Sequence, residues 1–178
     1  IRDSGNTVYI AWHELTSAEA QSVKGGLPGT EMDGKIYGDV IREVDHNGDV
    51  VWEFSNNTAE FRDKYAIHPL DTRHEFGHAN TVAPAQNGDY LVSFRNLDLL
   101  IIIDRKTNEI KWEYHNPALG GQHDAQFLDN GNILVFANGF NIPGAMPFGS
   151  QVWELNPESK EIVWKYAPRR NQLTFWSP

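Results

Sequence analysis

Short apolar runs rich in β-branched and aromatic residues, each bounded by Gly, Asn, Asp or Pro, recur along this chain, the signature of strands joined by tight turns. Three stretches read alike: Glu43-Val44-Asp45-His46-Asn47-Gly48-Asp49-Val50-Val51-Trp52, Ile103-Asp104-Arg105-Lys106-Thr107-Asn108-Glu109-Ile110-Lys111-Trp112, and Leu155-Asn156-Pro157-Glu158-Ser159-Lys160-Glu161-Ile162-Val163-Trp164. Each predicts a strand, a polar turn and a strand bearing a Trp. The tryptophans follow one another at 60 and 52 residues, from 52 to 112 and from 112 to 164. Upstream of each hairpin lies a further strand with its own Asn-Gly or Gly-Asn turn, at Gly5-Asn6, Asn87-Gly88 and Asn130-Gly131, and two of these are preceded by a strand that opens on His78 or His123. The unit is four antiparallel strands, the blade of a β-propeller. Helical periodicity is poor, and only 17–24 predicts a turn or two of helix. The fold class expected is therefore all-β, a partial propeller of about three to four blades. An incomplete blade covers 1–54, complete blades cover 74–114 and 123–166, and the first strand of another lies at 171–178. A β-sandwich is the alternative, and a Trp-bearing repeat argues against it. So few blades leave open edges, which more chain or a partner has to cover.

Composition narrows the function classes. With 178 residues, 40% hydrophobic and 12% aromatic, the chain has material for a packed core. Its formal charge of −9, without a run of Lys or Arg, gives no electrostatic grip on nucleic acid or anionic lipid. The longest apolar stretch, 97–103, is short and interrupted by Asp98, so no membrane span is expected. Cysteine is absent, which removes thiolate catalysis, Cys-ligated zinc and disulfides. The opening Ile1-Arg2 and closing Phe175-Trp176-Ser177-Pro178 are what a piece of a longer propeller is expected to show.

Arg73-His74-Glu75-Phe76-Gly77-His78-Ala79-Asn80 contains a literal H-E-x-x-H, the zinc-hydrolase pattern. That pattern needs a helix, and Pro69, Gly77, Pro84 and the strand opening at His78 argue against one. In an extended chain the two histidines would stand about 13 Å apart, too far to share one ion. No metal is expected, and His74 reads as incidental. Asp45 to Asp49 resembles the start of a calcium loop but is explained by the hairpin turn. His46, His68 and His115 read as solvated turn residues. The Gly/Pro-rich segment 12–34 reads as an insertion that covers a substrate mouth or is a mobile excursion.

His78 and His123 open first strands of neighbouring blades, which in a propeller are innermost, so both imidazoles are expected at one end of the axis. Arg95 ends the next strand and offers planar donors to an oxyanion at the same mouth. Two imidazoles and a guanidinium suit transfer of an anionic group, while the structural alternative is strand-edge histidines bonded to backbone and an arginine in a surface ion pair.

Taken together, His78-Ala79-Asn80-Thr81-Val82, Gly88-Asp89-Tyr90-Leu91-Val92-Ser93-Phe94-Arg95, Gly121-Gln122-His123-Asp124-Ala125 and Asn130 to Gly139 resemble the arylsulfate sulfotransferases. The likeness runs well over 74–178 and loosely over 36–54. It implies a six-bladed propeller that moves a sulfuryl group from an aryl sulfate to a phenol by a ping-pong route, without a cofactor. It also implies that His123 is the nucleophile, transiently sulfated, and that His78 and Arg95 assist; Asn80 is the substrate-binding candidate, with a purely structural role as its alternative. A further family histidine belongs to an earlier blade and is expected outside this stretch, since His13 follows a second strand rather than opening a first. By the same resemblance the protein is periplasmic or extracellular, acts on small aromatic partners, and is compatible with a homodimer. Related sequences carry Asp where Ala137 stands here. The competing reading is a propeller that serves as a non-catalytic binding or scaffold module.

Overall fold

In chain order the elements are β1 (Thr7–Glu14), α1 (Ser17–Ser22), β2 (Gly25–Leu27), β3 (Tyr37–Val44), β4 (Val50–Ser55), α2 (Ala59–Lys64), β5 (Ile67–Thr72), β6 (Ala79–Pro84), β7 (Tyr90–Phe94), β8 (Leu99–Ile103), β9 (Ile110–His115), β10 (His123–Phe127), β11 (Ile133–Ala137), β12 (Gln151–Leu155) and β13 (Ile162–Tyr166). They come from a computed structural model that describes residues 1–2, 4–139 and 150–167. The strand expected at 171–178 lies outside those residues. Three sheets carry the architecture: β1-β3-β4, β6-β7-β8-β9 and β10-β11-β12-β13, each antiparallel between neighbours and wound in chain order. The class is all-β, and the four-stranded meanders are propeller blades.

The middle sheet shows why the 97–103 run is so apolar. Alternate side chains of a strand point to opposite faces. Tyr90, Val92, Phe94, Leu99, Ile101 and Ile103 pack with Ile41, Trp52 and Phe54 of the first sheet. Leu91, Leu100 and Ile102 pack with Ile133, Val135 and Trp153 of the third. A strand covered on both faces loses its alternation and reads as a continuous apolar run. Each such side chain contributes about 1.5–3 kcal/mol of burial.

The tryptophans stand at one register position, Trp52 opposite Glu43, Trp112 opposite Ile102 and Trp164 opposite Glu154. Trp52 leans on Tyr90 of the next sheet at 4.7 Å between ring centroids, and Trp112 donates Nε1–H to the Pro157 carbonyl of the next sheet at 2.7 Å. Trp164 is 51% exposed against 8% for Trp52.

Two insertions pack across the end of the first two sheets. In the first, Thr16 and Glu19 form a capping box at the start of α1, and Leu15, Val23 and Ile36 are buried. In the second, Thr58 caps α2 by accepting from the Phe61 amide at 3.1 Å. Phe61 then meets Phe76 and Phe94 edge-on. A parallel pair, β2 with β5, ties the insertions together. The segment 12–34 is therefore anchored structure rather than an excursion, and α2 is a second helix that the sequence pattern did not indicate. No helix among the described residues is long and apolar enough to cross a membrane.

Candidate active site

One end of the blades gathers the candidate residues: the starts of β6 and β10, the ends of β7 and β11, and the starts of β3, β8 and β12. The Asn-Gly and polar hairpin turns lie at the opposite end. Two buried aspartates organise the near end. Counting back five residues from Val44, Ile103 and Leu155, which occupy equal register positions, gives Asp39, Asp98 and Ser150. Asp39 Oδ1 accepts the Ala79 amide at 3.0 Å, and Asp98 Oδ1 accepts the Gly121 amide at 2.8 Å. Each aspartate thus fastens the entry of the next blade to its own. Burial raises both carboxyls, Asp39 to about 7 with Glu75 adding repulsion and Asp98 to about 6 with Asp71 doing the same.

His123 is the first residue of β10, paired with Phe136 just before a register break that puts Asp124 at φ +52°. Its Nδ1 lies 3.1 Å from the Gly121 carbonyl, and the Asn138 Nδ2 donates to the same carbonyl at 2.6 Å. The Asn138 Nδ2 also stands 2.9 Å from His123 Nδ1; in the tautomer whose Nδ1–H donates to the Gly121 carbonyl, Nε2 keeps its lone pair. Burial lowers the His123 pKa first, and the positive charges of Arg95 and His78 lower it further, against the Gly121 carbonyl and Asp124. Both effects favour the neutral imidazole. Arg95 lies along Gly121, two residues before His123.

Arg95 follows β7 and opens a 3-10 turn, Arg95–Leu97. One of its nitrogens, Nη1, contacts Asp71 Oδ1 at 3.2 Å and Asn96 Oδ1 at 2.8 Å. Its stem runs along Gly121, where a β-carbon would touch the Arg95 Cγ and Nε at 3.6 Å; with φ at +76° this position favours glycine. Arg95 and Asn138 hold equal positions after β7 and β11, so both polar groups reach the site by the same strand geometry.

His78 stands just before β6 rather than on it, in the left-handed region at φ +52°. Its Nδ1 meets Glu75 Oε2 at 2.9 Å, while His74 Nε2 meets Glu75 Oε1 at 2.8 Å and His74 Nδ1 faces Thr72 Oγ1 at 2.7 Å. This corrects two expectations. The H-E-x-x-H stretch is neither helix nor extended strand but a series of bends, so its histidines come far closer than 13 Å and grip opposite oxygens of one carboxylate. His74 is a member of that cluster, not incidental. Burial would raise the Glu75 carboxyl, yet the His78 hydrogen bond and the charges of both histidines hold it below its ordinary value. Among the described residues no three metal-ligating side chains gather around a common point.

Asn80 donates from Nδ2 to the Gln122 carbonyl at 2.7 Å. Gln122, fully buried, shares its Nε2 among Ser93 Oγ, the Phe94 carbonyl and the Leu99 carbonyl, each at 3.1 Å. Asn80 and Gln122 therefore lock the segment that delivers His123 onto the middle sheet. Asp45 closes its hairpin by accepting from the Asn47 and Asp49 amides, at 2.8 and 3.0 Å. Two histidines expected in turns lie on strands instead: His68 within β5, with Nδ1 accepting the Leu70 amide, and His115 at the end of β9, edge-on to Tyr65. Pattern reading missed Asp39, Asp71, Glu75, Asp98, Gln122 and Asn138 as members of this end. The equal spacing of Asp39 and Asp98 before their hairpins was the available signal.

Comparison with known proteins adds the following. The family model for arylsulfotransferase (ASST) matches residues 2–172. No curated protein matches the chain. Two solved structures share 19% and 14% identity with it: a protein of unknown function from Bacteroides caccae, covering 80% of this chain with a TM-score of 0.46, and virginiamycin B lyase from Staphylococcus aureus, covering 90% with a TM-score of 0.41. The chain spans 45% of the length of each.

Proposed function

The chain belongs to the arylsulfotransferase family, and from that membership we propose that it carries the sulfuryl-accepting histidine of an aryl sulfate-to-phenol sulfotransferase. The nucleophile is His123 Nε2. Its lone pair attacks the sulfur of an aryl sulfate, an N–S bond forms, and the S–O(aryl) bond breaks with its electron pair leaving on the aryl oxygen. In the second half a phenol oxygen attacks the same sulfur, its proton passing to a neighbouring base, and the N–S pair returns to Nε2. The Arg95 guanidinium offsets charge on the sulfuryl oxygens, as cations do in phosphoryl transfer, and His78 assists beside it. Asn80 acts by holding Gln122 and so the approach of His123.

The observation that carries this reading is the placement of the His123 imidazole: Nδ1 held by the Gly121 carbonyl and the Asn138 amide, burial and neighbouring cations favouring the neutral ring, Nε2 left unengaged by any hydrogen bond among the described residues. A nucleophile anchored through its other nitrogen needs little reorganisation before attack. The test is release of p-nitrophenol from p-nitrophenyl sulfate by the intact protein with a phenol acceptor, together with mass detection of sulfated His123. His123→Ala is expected to abolish both. Undiminished release in that variant overturns the assignment, and an inert wild-type protein supports the binding-module reading.

A further inference from the structure

The cluster in the bends before β6 has no part in the nucleophile's own chemistry, yet it is the most constrained group at this end. Glu75 is 5% exposed, and its backbone is held from two sides. Residues 74–76 clasp Tyr37 through the Tyr37 amide to the His74 carbonyl and the Phe76 amide to the Tyr37 carbonyl, both at 2.8 Å, and Asn96 Nδ2 donates to the Glu75 carbonyl at 2.9 Å. The carboxylate cannot follow a moving partner; partners must come to it. His78 does so from a left-handed backbone, which for a side chain with a β-carbon costs about 1 kcal/mol. Such strain persists where the surroundings enforce it, and it collects at working sites.

We propose that Glu75, steadied by His74, is the positioning carboxylate of a proton-transfer residue, His78, that serves the aryl oxygens of donor and acceptor; the proposal rests on the sulfotransferase reading above. A carboxylate oxygen only accepts, so the 2.9 Å contact fixes the proton of His78 on Nδ1 and leaves Nε2 as the nitrogen that exchanges. The His78 side chain is 35% exposed, so its ring is open to solvent at this end of the blades. When the S–O(aryl) bond breaks, the His78 imidazolium gives its Nε2 proton to the departing oxygen and becomes neutral. When the acceptor phenol attacks, its proton passes to His78 Nε2, and the imidazolium is restored. Glu75 stays ionised throughout, and no further reactant is consumed. His74 occupies the second carboxylate oxygen, which prevents the carboxylate from turning away from His78. The H-E-x-x-H stretch thus serves proton delivery in place of metal binding.

Leaving-group dependence separates this role from a structural one, because nitrophenolate departs without a proton and plain phenolate needs one. Glu75→Gln in the intact protein is expected to slow turnover of phenyl sulfate by about 10²-fold while p-nitrophenyl sulfate stays near the wild-type rate. His74→Ala, which keeps the carboxylate, is expected to give the same bias in smaller degree and guards against a Glu75 variant that fails to fold. In a His78→Ala background Glu75→Gln is expected to change neither rate further, since it acts through His78. Equal losses on both donors, or an additional loss in the His78→Ala background, overturn the proposal. His123→Ala run alongside distinguishes the two levels: full activity there sinks the sulfotransferase reading, whereas its inactivity with an unbiased Glu75→Gln sinks only the role given to Glu75.

Discussion

Gly77, the glycine inside the H-E-x-x-H stretch, is where a tight steric demand of the fold meets the candidate site. A β-carbon there would stand 2.7 Å from the Phe94 ring and closer still to Asp39 Oδ2 and Asn56 Nδ2. All three neighbours are buried, so none can swing away into solvent. Making room means driving the Asp39 carboxylate off its partners, which breaks the 2.8 Å hydrogen bond from Asn56 Nδ2 and weakens the 3.0 Å bond from the Ala79 amide. Two buried hydrogen bonds at about 1–3 kcal/mol each, with about 1–3 kcal/mol of overpacking, put Gly77→Ala at about 4 kcal/mol of destabilisation. That is a large part of the roughly 5–15 kcal/mol that holds a typical domain folded. Gly48→Ala is the control, because Gly48 has φ +88° with nothing within 4 Å of a built β-carbon, so only backbone strain of about 1 kcal/mol is at stake. Denaturant unfolding of both variants gives the comparison. A Gly77→Ala cost no larger than that of Gly48→Ala refutes the close-packing account of this end.

Two further outcomes follow from the seam between the first two sheets. Glu43, 1% exposed, accepts from Asn6, Tyr90 and Arg105, each at 2.6 Å; burial works to raise its pKa, but these hydrogen bonds bring it down from 4.5 to about 2. Because the folded value lies below the unfolded one, the stabilisation, about 3 kcal/mol, is complete above pH 4.5 and is lost as pH falls toward 2. Glu43→Gln is expected to lower stability by a similar amount at pH 7, with the gap to wild type closing in acid titrations of unfolding; a gap independent of pH contradicts this. Thr58→Ala removes the cap of α2 and is expected to cost about 1 kcal/mol in the same unfolding assay, and no change there means that Phe61 is held by packing alone.

The all-β class was legible because strand runs and polar turns are local signals, each complete within about ten residues. The capped but short α2 was not, since six residues carry little periodicity and its stability comes from Phe61 meeting Phe76 and Phe94, which are distant in sequence. The parallel pairing of β2 with β5 is invisible for the same reason. His78, Arg95 and His123 were accessible as candidates through residue type and place. Glu75 was not, because both readings of H-E-x-x-H assumed a regular backbone, helix or strand, whereas bends allow His74 and His78 to face one carboxylate. Asn80 shows the converse limit: its residue type invites a substrate contact, and the fold turns its amide to Gln122.

The geometry of this end follows from one device used twice and then changed. Asp39 and Asp98 occupy equal positions and each receives a backbone amide from the entry of the following blade. At the first seam that entry carries His78 and leaves its imidazole to Glu75; at the second it carries Gly121, whose carbonyl fixes His123. The same fastening with different side chains gives two histidines with unlike Nδ1 partners, a carboxylate for His78 and a neutral carbonyl and amide for His123. Under the proposed mechanism, what the seam presents to Nδ1 is what distinguishes proton carrier from nucleophile. At the third position Ser150 stands in place of the aspartate, with its hydroxyl 3.5 Å from Asn138 Oδ1. There the buried carboxylate is replaced by a neutral group, and the negative charge that would have drawn a proton toward His123 is absent from that position.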